Sequence, residues 1–227
     1  MSKRLRSPWS LAYGAVREAG KVAVLICLPA MVNAQEVTIA ALGDSLTQGY
    51  GLVAEDGFVP QLQNWLQERG YDVRVINAGV SGDTTAGGLA RVAWTLTDDV
   101  DGMIVALGGN DFLRGLPPES SRANLSGILE AADGVEVLLV GMEVPGNYGP
   151  DYQQAFNEMF PQLAEQHDVL YVESFFEGLL GDPVSDPGSL ADLMQPDGIH
   201  PNANGVILIV EALGPRVEDL IARITAE

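Results

Sequence analysis

Cysteine is nearly missing from this 227-residue chain: its single copy, Cys27, lies in the first stretch, and nothing after it carries a thiol. Beyond that stretch a thiol nucleophile is excluded, no disulfide supports the fold, and an oxidising compartment poses no hazard. Histidine is almost as scarce, with His167 and His200 its only two copies. Two separated histidines without thiols make a poor zinc set, so neither a metal nor another cofactor is expected. Basic residues are few as well, 12 Lys and Arg against 31 Asp and Glu. A surface of that sign repels phosphate backbones and anionic membrane faces, which argues against nucleic acid as a partner. No apolar run reaches the roughly 20 residues needed to cross a bilayer. Internal repeats and low-complexity blocks are absent.

What is there begins with a leader. Lys3, Arg4, Arg6, Arg17 and Lys21 form a basic region, followed by an apolar run of ten residues, Val22 to Met31. Val32-Asn33-Ala34 then places small residues where a signal peptidase reads. Residues 1–34 are therefore expected to be a signal peptide, and residues 35–227 a single domain exported to the periplasm or beyond the cell. A membrane anchor or a core helix is the alternative reading. A lipidated Cys27 fits less well, because Ile26 is too large for the position before it. Without the leader the chain keeps 7 basic and 30 acidic residues, a net charge near −23. It has no means of stable membrane insertion after cleavage, and it is expected to act as a monomer.

Short apolar, β-rich runs alternate with amphipathic segments along the rest. Val37 to Leu42, Val73 to Ile76, Met103 to Leu107, Val135 to Val140 and Val169 to Val172 read as five strands. The third and fourth are almost continuously apolar, as strands covered on both faces are. Helical spacing recurs between them: Phe58, Leu62, Trp65 and Leu66; Leu89, Val92, Ala93 and Leu96; Leu125, Ile128 and Leu129. Two longer patterns follow, from Tyr152 to Leu163 with a kink expected at Pro161, and from Val206 to Ile221 with a kink or break expected at Gly214-Pro215. Gly181 to Ser189 reads as a surface loop. Strand–helix alternation predicts an α/β fold, a parallel sheet with right-handed crossovers sandwiched between helices.

In such a sheet the carboxyl ends of the strands carry the ligand site. The residues able to do chemistry fall there. Ser45 follows the first strand in Gly43-Asp44-Ser45-Leu46, where it reads either as a nucleophile or as a helix N-cap. Asp44 is expected to accept turn amides rather than act as an acid. Gly82, after the second strand, is either a plain turn glycine or a close backbone approach whose N–H meets a developing oxyanion. Asn110, after the third, carries a neutral amide donor suited to the same task, or simply occupies a left-handed turn. The glycines before it lack the lysine that phosphate cradling needs.

Asp197-Gly198-Ile199-His200 comes last. A serine nucleophile needs a base, and the base needs a group to fix its tautomer. An Asp-x-x-His loop supplies both, with Asp197 on one ring nitrogen and Ser45 on the other. His167, at a polar helix end, has no partner motif.

These segments resemble the four sequence blocks of the SGNH (GDSL-type) hydrolase superfamily: Gly43-Asp44-Ser45-Leu46-Thr47, then Gly82, then Gly109-Asn110-Asp111, then Asp197-Gly198-Ile199-His200-Pro201. Ser81-Gly82-Asp83-Thr84 and Asn147-Tyr148-Gly149 are similar to its exported bacterial thioesterase, lysophospholipase and arylesterase branch. The resemblance implies a flavodoxin-like, three-layer α/β/α sandwich with a five-stranded parallel sheet of order 2-1-3-4-5. It implies Ser45 as nucleophile, His200 as base and Asp197 as its orienter, with an oxyanion hole of the Ser45 and Gly82 N–H groups and the Asn110 side chain. The segment Phe112 to Pro117 would line an acyl groove, so Leu113, Leu116, Val144, Pro145 and Tyr148 are the expected substrate contacts. The stretch Met142 to Tyr148 is shorter than the branch's usual loop and carries Glu143, which leaves acyl-length preference open.

The expected substrate is thus a small-molecule acyl ester or thioester, of short to medium chain, cleaved through an acyl-enzyme. A carbohydrate O-deacetylase could use the same triad. An acyl-chain binding protein with a silent triad is the reading from outside enzymes.

Overall fold

The computed structural model describes residues 36–179 and 189–226. The expected signal peptide, its cleavage point and residues 181–188 of the expected loop lie outside the described residues, while Ser189, the loop's expected last residue, opens a helix instead. Five parallel strands form one sheet: β1 (Val37–Gly43), β2 (Val73–Gly79), β3 (Gly102–Ala106), β4 (Glu136–Val140) and β5 (Leu170–Val172), in the order β2-β1-β3-β4-β5. This is the order the resemblance implied. Between and after the strands come helices α1 (Ser45–Gln48), α2 (Phe58–Glu68), α3 (Thr85–Thr95), α4 (Gly109–Leu113), α5 (Pro118–Ala131), α6 (Pro150–His167), α7 (Ser189–Asp192) and α8 (Ala203–Ala226).

The period-two alternation of each strand divides the core into two layers. Ile39, Ala41, Val73, Val75, Ile104, Leu138 and Val140 pack with Phe58, Leu62 and Leu66 of α2 and with Val206, Ile209, Leu213 and Leu220 of α8. On the opposite face Leu42, Met103, Val105, Val137 and Leu139 pack with Val92 of α3, Leu125 and Ile128 of α5, and Phe156, Phe160 and Leu163 of α6. Both faces are covered, which is why β3 and β4 carry apolar residues at nearly every position.

Neither helical proline interrupts its helix. Pro161 lies inside α6 and Pro215 inside α8, and both rings sit on exposed faces. Each proline leaves the carbonyl one turn back without its helical N–H donor. Gly214 has a packing role instead of a breaking one. A Cβ there would come within 2.6 Å of the Trp65 ring, so α8 reaches α2 only because the position is bare. Arg69 covers the same indole, its guanidinium carbon 3.4 Å from the ring centroid.

Candidate active site

The carboxyl ends of β1 and β2 are tied together, and to the loop after β2, by Arg91 of α3. Its guanidinium donates to the Gly43 carbonyl at 2.8 Å, the Ala78 carbonyl at 2.6 Å and the Asp83 carboxylate at 2.7 Å. It thereby fixes the strand ends from which the first two site segments depart. Sequence reasoning passed over this residue, since a lone arginine in a helical pattern carries no motif.

Ser45 opens α1 directly after β1. Asp44 caps that turn, accepting the Leu46 N–H at 3.0 Å on one carboxylate oxygen. Its other oxygen accepts the Asn110 amide at 3.1 Å. Asp44 is 3% exposed, and burial pushes its carboxyl up, against the pull of those two donors. The carboxylate is a structural acceptor, and what it structures is Asn110: one amide hydrogen is anchored and the other is left for a ligand.

Gly82 takes φ of 80° as the third residue of a turn closed by the Asp83 N–H on the Val80 carbonyl at 3.0 Å. A side chain at that φ would be strained, and the turn leaves the Gly82 N–H outside its own hydrogen bond. The Gly82 carbonyl accepts from Arg114 at 2.7 Å, fixing the peptide plane. Among the described residues neither the Ser45 nor the Gly82 N–H finds a protein acceptor. Asn110 stands in the first turn of α4, not in a left-handed turn. That short helix is held from beneath by Asp111, 1% exposed, which accepts the Thr85 N–H at 2.8 Å, the Thr85 hydroxyl at 2.6 Å and the Ser121 hydroxyl at 2.9 Å.

The last segment brings an imidazole and a carboxylate. His200 Nε2 lies 2.8 Å from Ser45 Oγ, across 155 residues of sequence, and Nδ1 lies 2.7 Å from Asp197 Oδ2. The other Asp197 oxygen accepts the Ile199 N–H at 2.9 Å and the His200 N–H at 3.0 Å. The imidazole, then these two backbone donors, hold the Asp197 carboxyl at about 2, well below the usual carboxylate range. A charged acceptor on Nδ1 keeps the proton there and leaves Nε2 able to take one from the serine hydroxyl. His167 is far from this arrangement in the fold, at the end of α6, with its Nε2 3.1 Å from the Ser126 hydroxyl.

Ser45, Gly82, Asn110 and His200 all line one cleft of about 340 Å³. Leu113 and Val144 line it too, as expected. Leu116, Pro145 and Tyr148 lie outside its lining. Tyr148 stands behind the wall, edge-on to Phe112 at 5.6 Å between ring centroids and 5.0 Å from Tyr152. The Leu116 carbonyl accepts from the Tyr152 hydroxyl at 2.9 Å, and Pro145 is exposed. The apolar wall comprises Leu46, Tyr50, Phe112, Met142, Phe176 and Ile199 besides the two expected residues, with Glu143 as its exposed acidic member. Phe112, Met142 and Ile199 sit inside or beside motif blocks and were within reach of sequence reasoning. Phe176 was not, because only the tertiary fold carries it there.

A hydroxyl beside an imidazole held by a carboxylate, in an apolar cleft that Gly82 and Asn110 also line, is suited to acyl transfer. Replacing Asn110 with alanine is expected to lower kcat by roughly 10²–10³ at little cost in KM, because the donor strengthens as charge builds on the oxyanion. Steady-state kinetics on a p-nitrophenyl ester measures it, and a kcat within threefold of wild type would remove Asn110 from that role.

Comparison with known proteins leads to the same chemistry. The sequence profile of the GDSL-like lipase/acylhydrolase family matches residues 41–206. Over 201 residues the chain is 37% identical to Esterase TesA of Pseudomonas aeruginosa, covering 86% of this chain and 96% of that protein. It is 35% identical over 187 residues to Thioesterase 1/protease 1/lysophospholipase L1 of Escherichia coli K12, covering 81% and 85%. The structure of the psychrotrophic esterase EstA from Pseudoalteromonas sp., inhibited by monoethylphosphonate, is similar with a TM-score of 0.74 at 30% identity, over 82% of this chain and 100% of that one. The chain belongs to the GDSL-like lipase/acylhydrolase family, and it is a hydrolase acting on esters.

Proposed function

We propose that Ser45 is the nucleophile of an esterase that cleaves short-to-medium acyl esters and thioesters through an acyl-enzyme. The observation that carries this is the 2.8 Å contact between Ser45 Oγ and His200 Nε2 at the floor of the apolar cleft. Ser45 Oγ attacks the carbonyl carbon while its proton passes to Nε2. The carbonyl oxygen, now negative, takes hydrogen bonds from the Ser45 and Gly82 N–H groups and the Asn110 amide. As the tetrahedral species collapses, the leaving alcohol or thiol takes the proton back from Nε2. Water, deprotonated by the same nitrogen, then releases the acid and restores the serine. Asp197 stays ionised throughout and steadies the imidazolium.

The wall residues support an acyl chain rather than a sugar ring as the group held in the cleft. Leu113, Phe112, Met142 and Val144 offer apolar surface, and burial of each methylene contributes about 0.8 kcal/mol. The names of the relatives, esterase and thioesterase/lysophospholipase, fit the same class. Glu143 adds a charge criterion. Its carboxylate stands in the wall of a chain already strongly acidic, so anionic carriers such as acyl-CoA are disfavoured relative to neutral esters. The leader is read as an export signal that releases the enzyme to the periplasm or beyond, as a monomer with all its site groups on one chain. The lack of thiols after Cys27 suits that destination.

A panel of p-nitrophenyl esters of graded chain length, assayed beside acyl-CoA of matching lengths, tests this reading. Treatment with an organophosphonate followed by mass spectrometry is expected to place a single adduct on Ser45. Folded protein that takes no label and turns over no ester would end the proposal. Glu143→Gln is expected to raise the acyl-CoA to p-nitrophenyl ester ratio of kcat/KM severalfold at low salt, the gain shrinking as the Debye length falls below ~10 Å above 0.1 M. An unchanged ratio would discard the charge criterion alone.

A further inference from the structure

The contact between Ser45 and His200 does not hold itself together. A serine–imidazole hydrogen bond is broken and remade in every turnover, because Nε2 must turn from the serine to the leaving group and then to water. Something else must keep two segments 155 residues apart at working distance. The structure contains a separate bridge between them, and Gln195 is its centre.

The bridge can be followed atom by atom. The Tyr50 N–H donates to the Ser45 carbonyl at 3.0 Å, so Tyr50 belongs to the nucleophile's turn. The Tyr50 carbonyl accepts one hydrogen of the Gln195 side-chain amide at 2.8 Å. The second hydrogen of the same nitrogen goes to the Pro201 carbonyl at 3.0 Å, directly after His200. The Gln195 backbone N–H donates to the His200 carbonyl at 2.7 Å, and its carbonyl accepts the Gly198 N–H at 2.9 Å. Gln195 therefore closes the loop that carries Asp197 and His200, and its side chain attaches that loop to the turn carrying Ser45.

Two further features fit this role. Gly51, beside Tyr50, takes φ of 77°, and a Cβ there would run into the Gln195 amide oxygen. Only the bare position lets the amide lie flat across both backbones. The Tyr50 ring also packs on the imidazole, 4.7 Å between centroids at 40°, which restrains the ring's swing. The amide orientation is dictated by its surroundings, since turning it over would set its oxygen against two carbonyl oxygens.

We propose that Gln195 is a positioning residue for ester hydrolysis: both hydrogens of its side-chain amide brace the His200 loop against the nucleophile turn, keeping base and hydroxyl in register through the catalytic cycle. The inference rests on the triad reading above. Its consequence is kinetic. A displacement of about 1 Å in a catalytic group costs on the order of 10² in rate, while the apolar cleft that binds the acyl chain is untouched.

The test compares full-length wild type with Gln195→Ala and Gln195→Glu. The glutamate keeps the size and shape of the side chain but supplies no hydrogen when ionised, so a residue needed only to fill space would tolerate it. Both variants are expected to lose about 10- to 100-fold in kcat at pH 8, with KM within twofold of wild type. The ratio of Gln195→Glu to wild-type activity is expected to climb as pH falls, because a protonated glutamic acid regains one donor. Wild-type kcat in either variant would overturn the proposal, as would an equal loss in kcat and gain in KM. Failure of both variants to fold, judged by circular dichroism, would overturn it too, making Gln195 a folding residue. An inactive wild type would instead sink the esterase reading, and Ser45→Ala separates the two cases.

Discussion

Ser45→Ala and His200→Ala are each expected to lower kcat on a p-nitrophenyl ester by about 10⁴- to 10⁶-fold. The size of the effect follows from what remains. Without the hydroxyl no covalent intermediate forms, and without the imidazole the hydroxyl keeps its proton at any practical pH. The oxyanion donors and the cleft survive in both variants, leaving only the modest advantage that binding and electrostatics give to attack by water. The two losses should not add, because the pair acts as a unit. Stability should barely change. Ser45 is half-buried at the start of a four-residue helix, and its hydroxyl contacts only the imidazole among the described residues. Unaltered circular dichroism beside the kinetics completes the measurement. Activity within tenfold of wild type in either variant would dissolve the triad.

Asp197→Asn is expected to cost about 10⁴ in kcat while changing the shape of the side chain hardly at all. The carboxylate receives hydrogens on both sides: the ring Nδ1–H on Oδ2, the Ile199 and His200 N–H groups on Oδ1. An amide cannot serve both. With its oxygen toward the backbone donors, its NH₂ meets Nδ1 and forces the ring proton onto Nε2, where it blocks the serine. With its oxygen toward the ring, its NH₂ opposes two N–H groups and the loop must open. The pH dependence has a definite sign. The folded carboxyl, at about 2, lies below its unfolded value, so its contribution to stability is present above the ordinary carboxylate range and is lost as pH falls toward 2. Protonation of Asp197 should therefore not account for any loss of kcat/KM in wild type well above pH 2. Activity within tenfold of wild type in Asp197→Asn would contradict this.

Much of this could be read from the chain before its structure. The strands of the doubly covered sheet declared themselves because burial on two faces demands unbroken apolar runs, as in Met103 to Val105 and Val137 to Val140. β2 was legible only in part. It continues through Asn77, Ala78 and Gly79, whose composition suits a turn, because its backbone pairs with Ala41, Leu42 and Gly43. Pairing of that kind leaves no mark on side-chain chemistry. The residues of the proposed triad were legible for the opposite reason: an aspartate and a histidine three residues apart in a Gly- and Pro-bearing loop stand out in a chain with two histidines. The cleft wall was legible on one side. Leu113 and Val144 line the cleft, whereas Tyr148 packs its ring edge-on against Phe112 and lies outside the lining. Which face a loop aromatic presents is settled by its neighbours in space. Arg91 and Gln195 escaped for the same reason, since each acts on backbone carbonyls remote in sequence.

The bare position at Gly214 has an optical consequence. Among the described residues there are two tryptophans: Trp94 is 85% exposed, and Trp65 lies under the final helix with Arg69 across its face. Emission from Trp94 should be red-shifted and nearly constant in native and denatured protein alike. In protein freed of residues 1–34, and with them Trp9, any blue-shifted component belongs to Trp65, so its loss in urea reports departure of the carboxy-terminal helix without an added label.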